Sequence, residues 1–562
     1  MSDTLTPKQC GENAHVEYTW SNNLKERIVQ FCYQCNRCDA TRVAQLSNIL
    51  KELLTSIGLD KPYYLNILYR VIGHTRDIVN GKGEYTLSYM MINVWYDFHP
   101  ILAKHALSCF VKLEDTTIQP YGSWKDIKYF CQYCIDNGRE VQHPLIFYAL
   151  TLLNTQLKND VTITDDKISL VAKWIPREDS KFGQFYEMLA VDYFNKIILT
   201  TYDDYSRKKA ILKCKTNYRK IISTLNKKLK TVQINHCENT WAKINFNNVT
   251  SVTLAKNRKA FLNKKTSGET KYPNNEDRIK CANNLNTYID ERIEAGLDIK
   301  GKYIGLELFT STAIDLIQRE ICGDENIQTE IDLLNLQWKN NSSQNNELNN
   351  CIAMIDVSES MRGAPMCAAN AIGIRVSEKS KLGKRIVTFD NNPKWINLEK
   401  CEDFMSMTKL IFKDAGPNAN FCAALELVLD AIIETKLKPE EVSDLTLVIL
   451  SDMQMDYRGH HNSQTVYDTI EQKYKEAGNK LYNKPFKPPH VVFWNLRSTD
   501  GFPVLSIQKN ISMITGFNPV LLNTFCKEGL TALNCCSPFN NLEKMVMNKR
   551  YDYLGYKISI NI

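Results

Sequence analysis

Four short apolar runs in the carboxyl-terminal part of this 562-residue chain constrain its fold more than any other feature. They cover residues 351–355, 385–389, 445–450 and 491–494. Segments 361–374 and 421–433 have the composition and spacing of helices, and they alternate with the apolar runs. Near-continuous apolar strands are typical of a sheet that is buried on both faces. The alternation therefore predicts an α/β domain over residues 351–562, with a doubly wound, mostly parallel, Rossmann-type sheet.

Oxygen-bearing side chains follow two of these runs. Asp356, Ser358 and Ser360 come directly after the first run, and Asp452 comes soon after the third. The carboxyl ends of parallel strands meet at one edge of a sheet, where the ligands of such folds bind. Oxygen atoms are the ligands that Mg²⁺ prefers. The sequence therefore predicts a candidate Mg²⁺ site at this edge.

The D-x-S-x-S spacing that begins at Asp356 resembles the metal-ion-dependent adhesion site (MIDAS) of von Willebrand factor A domains. The resemblance implies a von Willebrand factor A-like domain whose metal-site edge binds an acidic group of a protein partner. Asp452 matches the last acidic ligand of that family, whereas Ala419 stands where the family has a threonine. Asn420 or Asn418 could supply a replacement amide ligand, or water could fill the position, and a degenerate site without metal is the alternative.

Segment 207–265 is strongly basic, although the whole chain carries a net charge of only +7. It contains 16 Lys and Arg residues and one acidic residue, Glu238, which is a local excess of +15. The apolar residues of 206–230 fit one stripe of a helix and leave the cations on its other faces. Such a density of cations attracts phosphates, so we predict a nucleic-acid surface, with RNA as the ligand. The alternative is a basic face that docks on an acidic face of the same chain. The candidate residues are Arg207, Lys208, Lys209, Lys213, Lys215, Arg219, Lys220, Lys227, Lys228, Lys230, Lys256, Arg258 and Lys259.

Residues 45–335 have a predominantly helical pattern, and a short amino-terminal segment, 1–44, precedes them. Clear helical stretches occur at 43–57, 87–95, 124–136 and 189–199, with Gly and Pro turns between such stretches. We therefore predict an all-α, HEAT-like helical-repeat region built as an irregular stack of antiparallel helix pairs. The asparagine-rich stretch 336–350 predicts a linker before the α/β domain, so the chain is expected to be multidomain.

Several segments together resemble a known family, domain of unknown function 2828. The matching segments are 76–84, 121–126, 172–176, 218–232, 356–361, 451–456, 493–497 and 515–522. The resemblance extends from about residue 45 onward, and the family, found in plants and large DNA viruses, has no established activity. Its architecture is similar to that of TROVE-domain ribonucleoproteins, which pair an RNA-binding ring of helical repeats with a carboxyl-terminal von Willebrand factor A domain.

Composition bears on the compartment and on metal chemistry. No apolar run approaches the roughly 18 residues that span a bilayer, and the first residues lack the features of a signal peptide. We therefore expect an intracellular, cytoplasmic protein with reduced cysteines, or one associated with a virion. Cys32, Cys35 and Cys38 have a spacing that suits a metal site, but the same spacing fits one side of a helix.

No nucleophile elbow, zinc-protease helix or kinase signature is present in the sequence. We therefore expect a binding protein without enzymatic activity. In this hypothesis the helical region binds RNA, and the von Willebrand factor A-like domain binds a protein partner with the assistance of Mg²⁺. The alternative is a structural or scaffold protein, as in a large DNA virus, that mediates protein–protein contacts without RNA or metal.

Overall fold

The computed structural model of the chain describes residues 6–13, 15–58, 60–164, 168–200, 203–324, 326–412, 420–454, 465–523 and 536–555. Before residue 343 these residues are mainly helical. A small antiparallel hairpin, β1 (Lys8–Cys10) and β2 (Val16–Tyr18), precedes the helices. The helices are α1 (Leu24–Gln34), α2 (Ala40–Ile57), α3 (Pro62–Arg76), α4 (Thr86–Phe98), α5 (Pro100–Cys109), α6 (Lys125–Asp136), α7 (Pro144–Thr162), α8 (Val171–Trp174), α9 (Gly183–Tyr193), α10 (Asn195–Leu199), α11 (Asp204–Lys228), α12 (Val232–Glu238), α13 (Ser251–Phe261), α14 (Glu276–Glu294), α15 (Leu306–Ile321) and α16 (Gln328–Ser342).

The carboxyl-terminal part contains a six-stranded mixed sheet. Its strands are β3 (Cys351–Asp356), β4 (Arg385–Phe389), β5 (Lys394–Asn397), β6 (Thr446–Ser451), β7 (His490–Asn495) and β8 (Ile511–Thr515), in the spatial order β5-β4-β3-β6-β7-β8. All neighbouring strands are parallel except β4 and β5, which are antiparallel. The helices of this part are α17 (Ala364–Lys379), α18 (Phe404–Phe412), α19 (Phe421–Glu434), α20 (Pro439–Ser443), α21 (Val466–Tyr482) and α22 (Pro538–Val546). The predicted combination of a helical region and an α/β sheet is therefore confirmed.

Helices cover both faces of the sheet. Successive side chains of a strand point to opposite sides, so each strand contributes apolar side chains to a core on either face. Ile352 and Met354 of β3 belong to a core that also contains α19, α21 and the helices α1–α11. Ala353 and Ile355 belong to a second core, formed with α15–α18. The helical half and one face of the sheet thus share a continuous apolar core. A smaller, separate core lies between α13 and α14.

The structure places the boundaries between these parts differently from the sequence prediction. The predicted boundary at residue 44/45 lies inside α2, and the start of the predicted linker, residue 336, lies inside α16. Asn341 and Asn345 of the asparagine-rich stretch are buried and accept hydrogen bonds from the buried guanidinium of Arg375, at 3.1 and 2.6 Å. Hydrogen bonds from Arg375 to these asparagines therefore connect α17 with the end of α16 and the residues that follow it.

The helical half also contacts the carboxyl edge of the sheet. The Asn36 side chain donates to the Asn495 carbonyl at 3.0 Å, and Gln34 donates to the Gly501 carbonyl at 3.2 Å. Arg42 donates to the Thr499 carbonyl at 2.6 Å. The end of β7 is therefore held against the α1–α2 turn.

Among the described residues, no helix combines the length and the apolar character needed to cross a membrane.

Candidate functional site

Asp356 ends β3 at the carboxyl edge of the sheet, as the sequence predicts. Its side chain is fully buried, and both carboxylate oxygens accept hydrogen bonds. The Ser358 backbone N–H donates to Oδ1 at 3.0 Å, which closes a tight turn after the strand. The Ser451 hydroxyl, at the end of the neighbouring strand β6, donates to Oδ2 at 2.6 Å. Two adjacent strands therefore fix the orientation of this carboxylate.

The two serines of the loop lie side by side. The hydroxyl oxygens of Ser358 and Ser360 are 3.1 Å apart; Ser358 is buried and Ser360 is exposed. Glu359, between them, is also exposed and lies 3.5 Å from Arg362. The loop thus presents a polar rim to solvent above a buried carboxylate.

Asp452 is buried at the same edge, but its carboxylate already has partners. Oδ2 accepts from the Arg497 Nε at 3.0 Å, and Oδ1 accepts from the Gln454 backbone N–H at 3.0 Å. Arg497 also pairs with Glu12 of the amino-terminal segment at 2.8 Å. The Gln454 side chain accepts from the Glu12 backbone N–H at 2.8 Å. The amino-terminal segment therefore covers this side of the predicted site, which sequence spacing could not show.

Burial and the neighbouring charge of Asp452 raise the pKa of Asp356 above that of an ordinary aspartate. Desolvation disfavours the charged form, and a second carboxylate nearby disfavours it further. A positive charge near Asp356 would relieve both effects.

Asn420, the predicted replacement ligand, is the amino-terminal cap of α19. Its side-chain oxygen accepts from the Ala423 N–H at 3.1 Å, and its backbone N–H donates to the Asp390 carbonyl at 2.9 Å. Ala419 and the alternative ligand Asn418 lie outside the described residues. The fit to Mg²⁺ is therefore partial: Asp356 and the two serines converge, whereas the oxygens of Asp452 and Asn420 serve an ion pair and a helix cap. Among the described residues, no cluster of three or more His, Cys, Asp or Glu side chains is arranged to hold a metal ion.

Replacing Arg497 by glutamine is expected to strengthen Mg²⁺ binding by roughly tenfold or more, because it removes a cation next to Asp452. Titration calorimetry on the native chain, on Arg497→Gln and on Arg497→Gln with Asp356→Asn would measure this. Arg362→Gln, which removes an exposed cation from the same loop, is the matched control. Equal or absent heats in all four proteins would contradict a role of this loop in metal binding.

The predicted basic segment forms two separate regions. In the first, α11 buries Ala210, Cys214, Tyr218 and Leu225 on one side. Most of the cations on and just after this helix are exposed and lack an ion pair with any described residue. This α11 basic face consists of Arg207, Lys208, Lys209, Lys213, Arg219, Lys220, Lys227 and Lys230. Lys256, on α13, is also exposed.

Lys215 and Lys228, the other two predicted cations of α11, are half-buried and have internal partners. Lys215 pairs with Glu178 at 2.5 Å, and Lys228 donates to the carbonyls of Ile163 and Thr164. These two side chains therefore attach α11 to the loop before α9 and to the segment that follows α7.

In the second region two cations of α13, Arg258 and Lys259, hold that helix against α15 and α16. Arg258 pairs with Glu330 at 3.1 Å and with Asp315 at 3.3 Å, and Lys259 pairs with Asp315 at 3.0 Å. Lys264 lies 3.3 Å from Glu330, which is completely buried. Internal docking therefore describes Arg258 and Lys259, together with Lys215 of α11, whereas most cations of α11 remain exposed.

A further concentration of cations was not predicted from the sequence. The aromatic-basic patch comprises Lys125, Lys128, Lys173, Arg177 and Lys181 with the rings of Tyr85, Tyr129, Trp174 and Phe182. Its members come from three separate stretches of the chain, so counting charges along the sequence does not reveal it. The alternation of aromatic and basic residues within 124–129 and 173–182 was the available signal.

The remaining sequence candidates have structural roles. Cys32 and Cys35 are buried, and burial raises the pKa of the Cys32 thiol to about 12. Their carbonyl oxygens accept from the buried Lys82 Nζ at 2.7 and 2.9 Å. That lysine caps the carboxyl end of α1.

Comparison with known proteins supports the sequence resemblance over part of the chain. Residues 146–276 match the model of a family described as domain of unknown function (DUF2828), which confirms that resemblance for this segment. Residues 350–550 match another family model, domain of unknown function (DUF7788). An uncharacterized protein of Acanthamoeba polyphaga mimivirus is 26% identical over 507 residues, which cover 86% of this chain and 79% of the viral protein. The first match includes α11 and α13, and the second includes the sheet.

Proposed function

We propose that this chain is a non-enzymatic binding protein whose helical half holds RNA on the α11 basic face. The observation that carries the proposal is a row of exposed cations on a single long helix, none of which forms an ion pair with a described residue. From Lys208 to Lys227 this row extends about 28 Å, at 1.5 Å per residue. Exposed cations without acidic partners are free to replace the counterions of a phosphate backbone.

Two exposed apolar side chains accompany these cations. Tyr205 is 70% exposed and Leu212 is 62% exposed, so an aromatic ring is available beside the charges. Lys209 lies 5.2 Å from the centre of the Tyr205 ring. A ring beside cations suits unstacked bases, which proteins recognise in single-stranded or looped RNA.

The proposal for the carboxyl-terminal part is a von Willebrand factor A-like domain that binds a protein partner. The strand order with one antiparallel edge strand, and Asp356 at the end of the central strand β3, support this assignment. Because Arg497 and the amino-terminal segment cover Asp452, the surface left for a partner is the exposed rim at Glu359 and Ser360. Together with a HEAT-like helical half, such a domain gives a TROVE-like architecture. In this proposal Mg²⁺ assists partner binding only if the partial site at Asp356 binds the ion.

The rival proposal, a structural or scaffold protein without RNA or metal, has its own support. The ion pairs of Arg258 and Lys259 with Asp315 show that part of the basic segment serves internal packing. The rival requires that the α11 basic face meets an acidic protein surface instead of a phosphate backbone.

Neutralising six cations of α11 is expected to remove most RNA binding and to flatten its salt dependence. Because each phosphate contact on a single strand contributes about 0.7 to the slope of log K against log salt, six lost contacts lower the slope by about 4. Binding to total RNA and to a labelled oligonucleotide would be measured at rising salt. The test variant changes Lys208, Lys209, Lys213, Arg219, Lys220 and Lys227 to Gln.

A matched control removes the same net charge from the sheet half. It changes Lys400, Lys436, Lys475, Lys480, Lys484 and Lys487, all exposed, to Gln. We expect this control to bind RNA like the native chain. Equal RNA binding by the α11 variant and the native chain would refute the proposal and favour the scaffold alternative.

A further inference from the structure

The aromatic-basic patch brings cations and rings together on the surface formed by α6, α8 and the loop before α9. Lys125 Nζ lies 5.0 Å from the ring centre of Tyr129, and Lys128 Nζ lies 5.1 Å from that of Trp174. Lys181 extends the cluster, since its Nζ lies 4.8 Å from another ring centre, that of Phe182. Such distances are those of cation–π contacts.

No described acidic side chain forms an ion pair with any of the five cations of the patch. The nearby Glu178 pairs instead with Lys215 of α11 at 2.5 Å. Burial and the repulsion from Lys125, Arg177 and Lys181 lower the pKa of Lys128 to about 8. The cations therefore repel one another, and an anion is the partner that would relieve the repulsion.

A cleft of about 680 Å³ adjoins the patch and connects it with α11. Lys173 and Arg177 of the patch line it on one side, and Arg219 of the α11 basic face lines it on the other. Gln233 of α12 and the acidic Glu178 and Asp179 also line the cleft. The volume lies within the range of small-molecule sites, roughly 300–1,000 Å³.

We infer that the aromatic-basic patch and the adjoining cleft bind single-stranded nucleic acid. In this arrangement the backbone phosphates lie on Lys125, Lys128 and Lys181. One unstacked base enters the cleft beside Gln233. Tyr85, which is exposed, and the half-buried Trp174 and Tyr129 offer stacking surfaces for neighbouring bases, and stacking on aromatic rings is how proteins hold single strands without sequence preference. The inference rests on the proposed RNA binding and names its substrate class: single strands with accessible bases, continuing from the α11 basic face through Arg219.

Fluorescence anisotropy with three labelled ligands of about 12 nucleotides tests the inference. They are oligouridylate, an RNA duplex and an abasic ribose-phosphate strand. The charge variant changes Lys128, Arg177 and Lys181 to Gln, and its matched control changes Lys475, Lys484 and Lys487 to Gln. We expect the charge variant to bind oligouridylate roughly tenfold more weakly, with duplex binding nearly unchanged, because the patch serves single strands.

A second variant, Trp174→Leu, separates base stacking from charge. It is expected to remove the preference of the native chain for oligouridylate over the abasic strand. The charge variant keeps the test decisive if Trp174→Leu fails to fold.

If both patch variants bind oligouridylate like the native chain while the α11 variant does not, this inference falls and RNA binding by α11 stands. If the native chain binds none of the three ligands, both fall. Displacement of oligouridylate by an equal concentration of oligoglutamate would overturn the inference in favour of an acidic protein ligand.

Discussion

Replacing Asp126 by alanine is expected to lower the free energy of unfolding by about 3–5 kcal/mol. Asp126 and Arg76 form a buried ion pair: the side chains are 0% and 1% exposed. The guanidinium donates to both carboxylate oxygens, at 2.6 and 2.8 Å. Removing one partner leaves the other charge buried and unpaired, which is the costly case for internal ion pairs.

The neighbours of this ion pair restrict which side chains residues 122–126 can carry. The Tyr89 hydroxyl donates to Asp126 at 2.6 Å, and the Ser123 backbone N–H donates to it at 2.7 Å. A side chain at Gly122 would place its Cβ 2.7 Å from the Asp126 carboxylate and 3.1 Å from the Arg76 Nε. The local sequence therefore serves one buried ionic centre that joins α3, α4 and α6.

Urea denaturation of the native chain and of Asp126→Ala would measure the loss, and Asp136→Ala is the control. Asp136 is exposed at the end of the same helix and accepts one hydrogen bond from Gln132 at 2.8 Å. We expect a change within about 0.5 kcal/mol for this control. A loss of stability by Asp126→Ala no larger than that of the control would contradict the role of the buried pair.

The sequence predicts those parts of the fold that local pattern determines. Strands β3, β4, β6 and β7 were predicted because each is a nearly continuous apolar run, as strands buried on both faces must be. β5 was missed because it is a four-residue, half-exposed edge strand that joins the sheet by antiparallel pairing with β4. β8 was missed because Ser512 and Thr515 interrupt its apolar pattern, although both are buried.

Most of the contacts that the sequence did not predict are between residues that are distant in sequence. Asp356 and Asp452 were placed correctly at one edge of the sheet, but the pairing of Arg497 with Glu12 depends on residues 485 positions apart. The asparagine-rich stretch has the composition of a linker, yet the buried Arg375 gives its asparagines internal partners. Charge counting predicted a basic helix at α11, and it could not distinguish those cations from Arg258, whose acidic partners lie on later helices.

The second large effect is expected where the end of the described chain meets the helical half. Arg550 donates to both carboxylate oxygens of Asp77, at 2.7 and 2.9 Å, and the Tyr551 hydroxyl donates to the same carboxylate at 3.1 Å. Asp77 is completely buried.

Two further contacts hold the same segment. The Tyr121 hydroxyl donates to the Arg550 carbonyl at 2.9 Å, and Arg70 pairs with Asp552 at 2.9 Å. Residues 549–555 therefore attach the sheet half to α3.

Arg550→Ala is expected to cost about 3 kcal/mol of stability, because it leaves the buried Asp77 carboxylate without its charged partner. The substitution should also increase the rate of hydrogen exchange more in α22 and residues 549–555 than in the central strands, because the loss is local to this attachment. Lys549→Ala is the matched control, because this neighbouring cation is exposed and should be replaceable without loss. Denaturant unfolding and exchange measured by mass spectrometry would report the two effects. Unchanged exchange in α22 with Arg550→Ala would mean that the apolar packing of Val546 and Leu554 suffices to hold the two halves together.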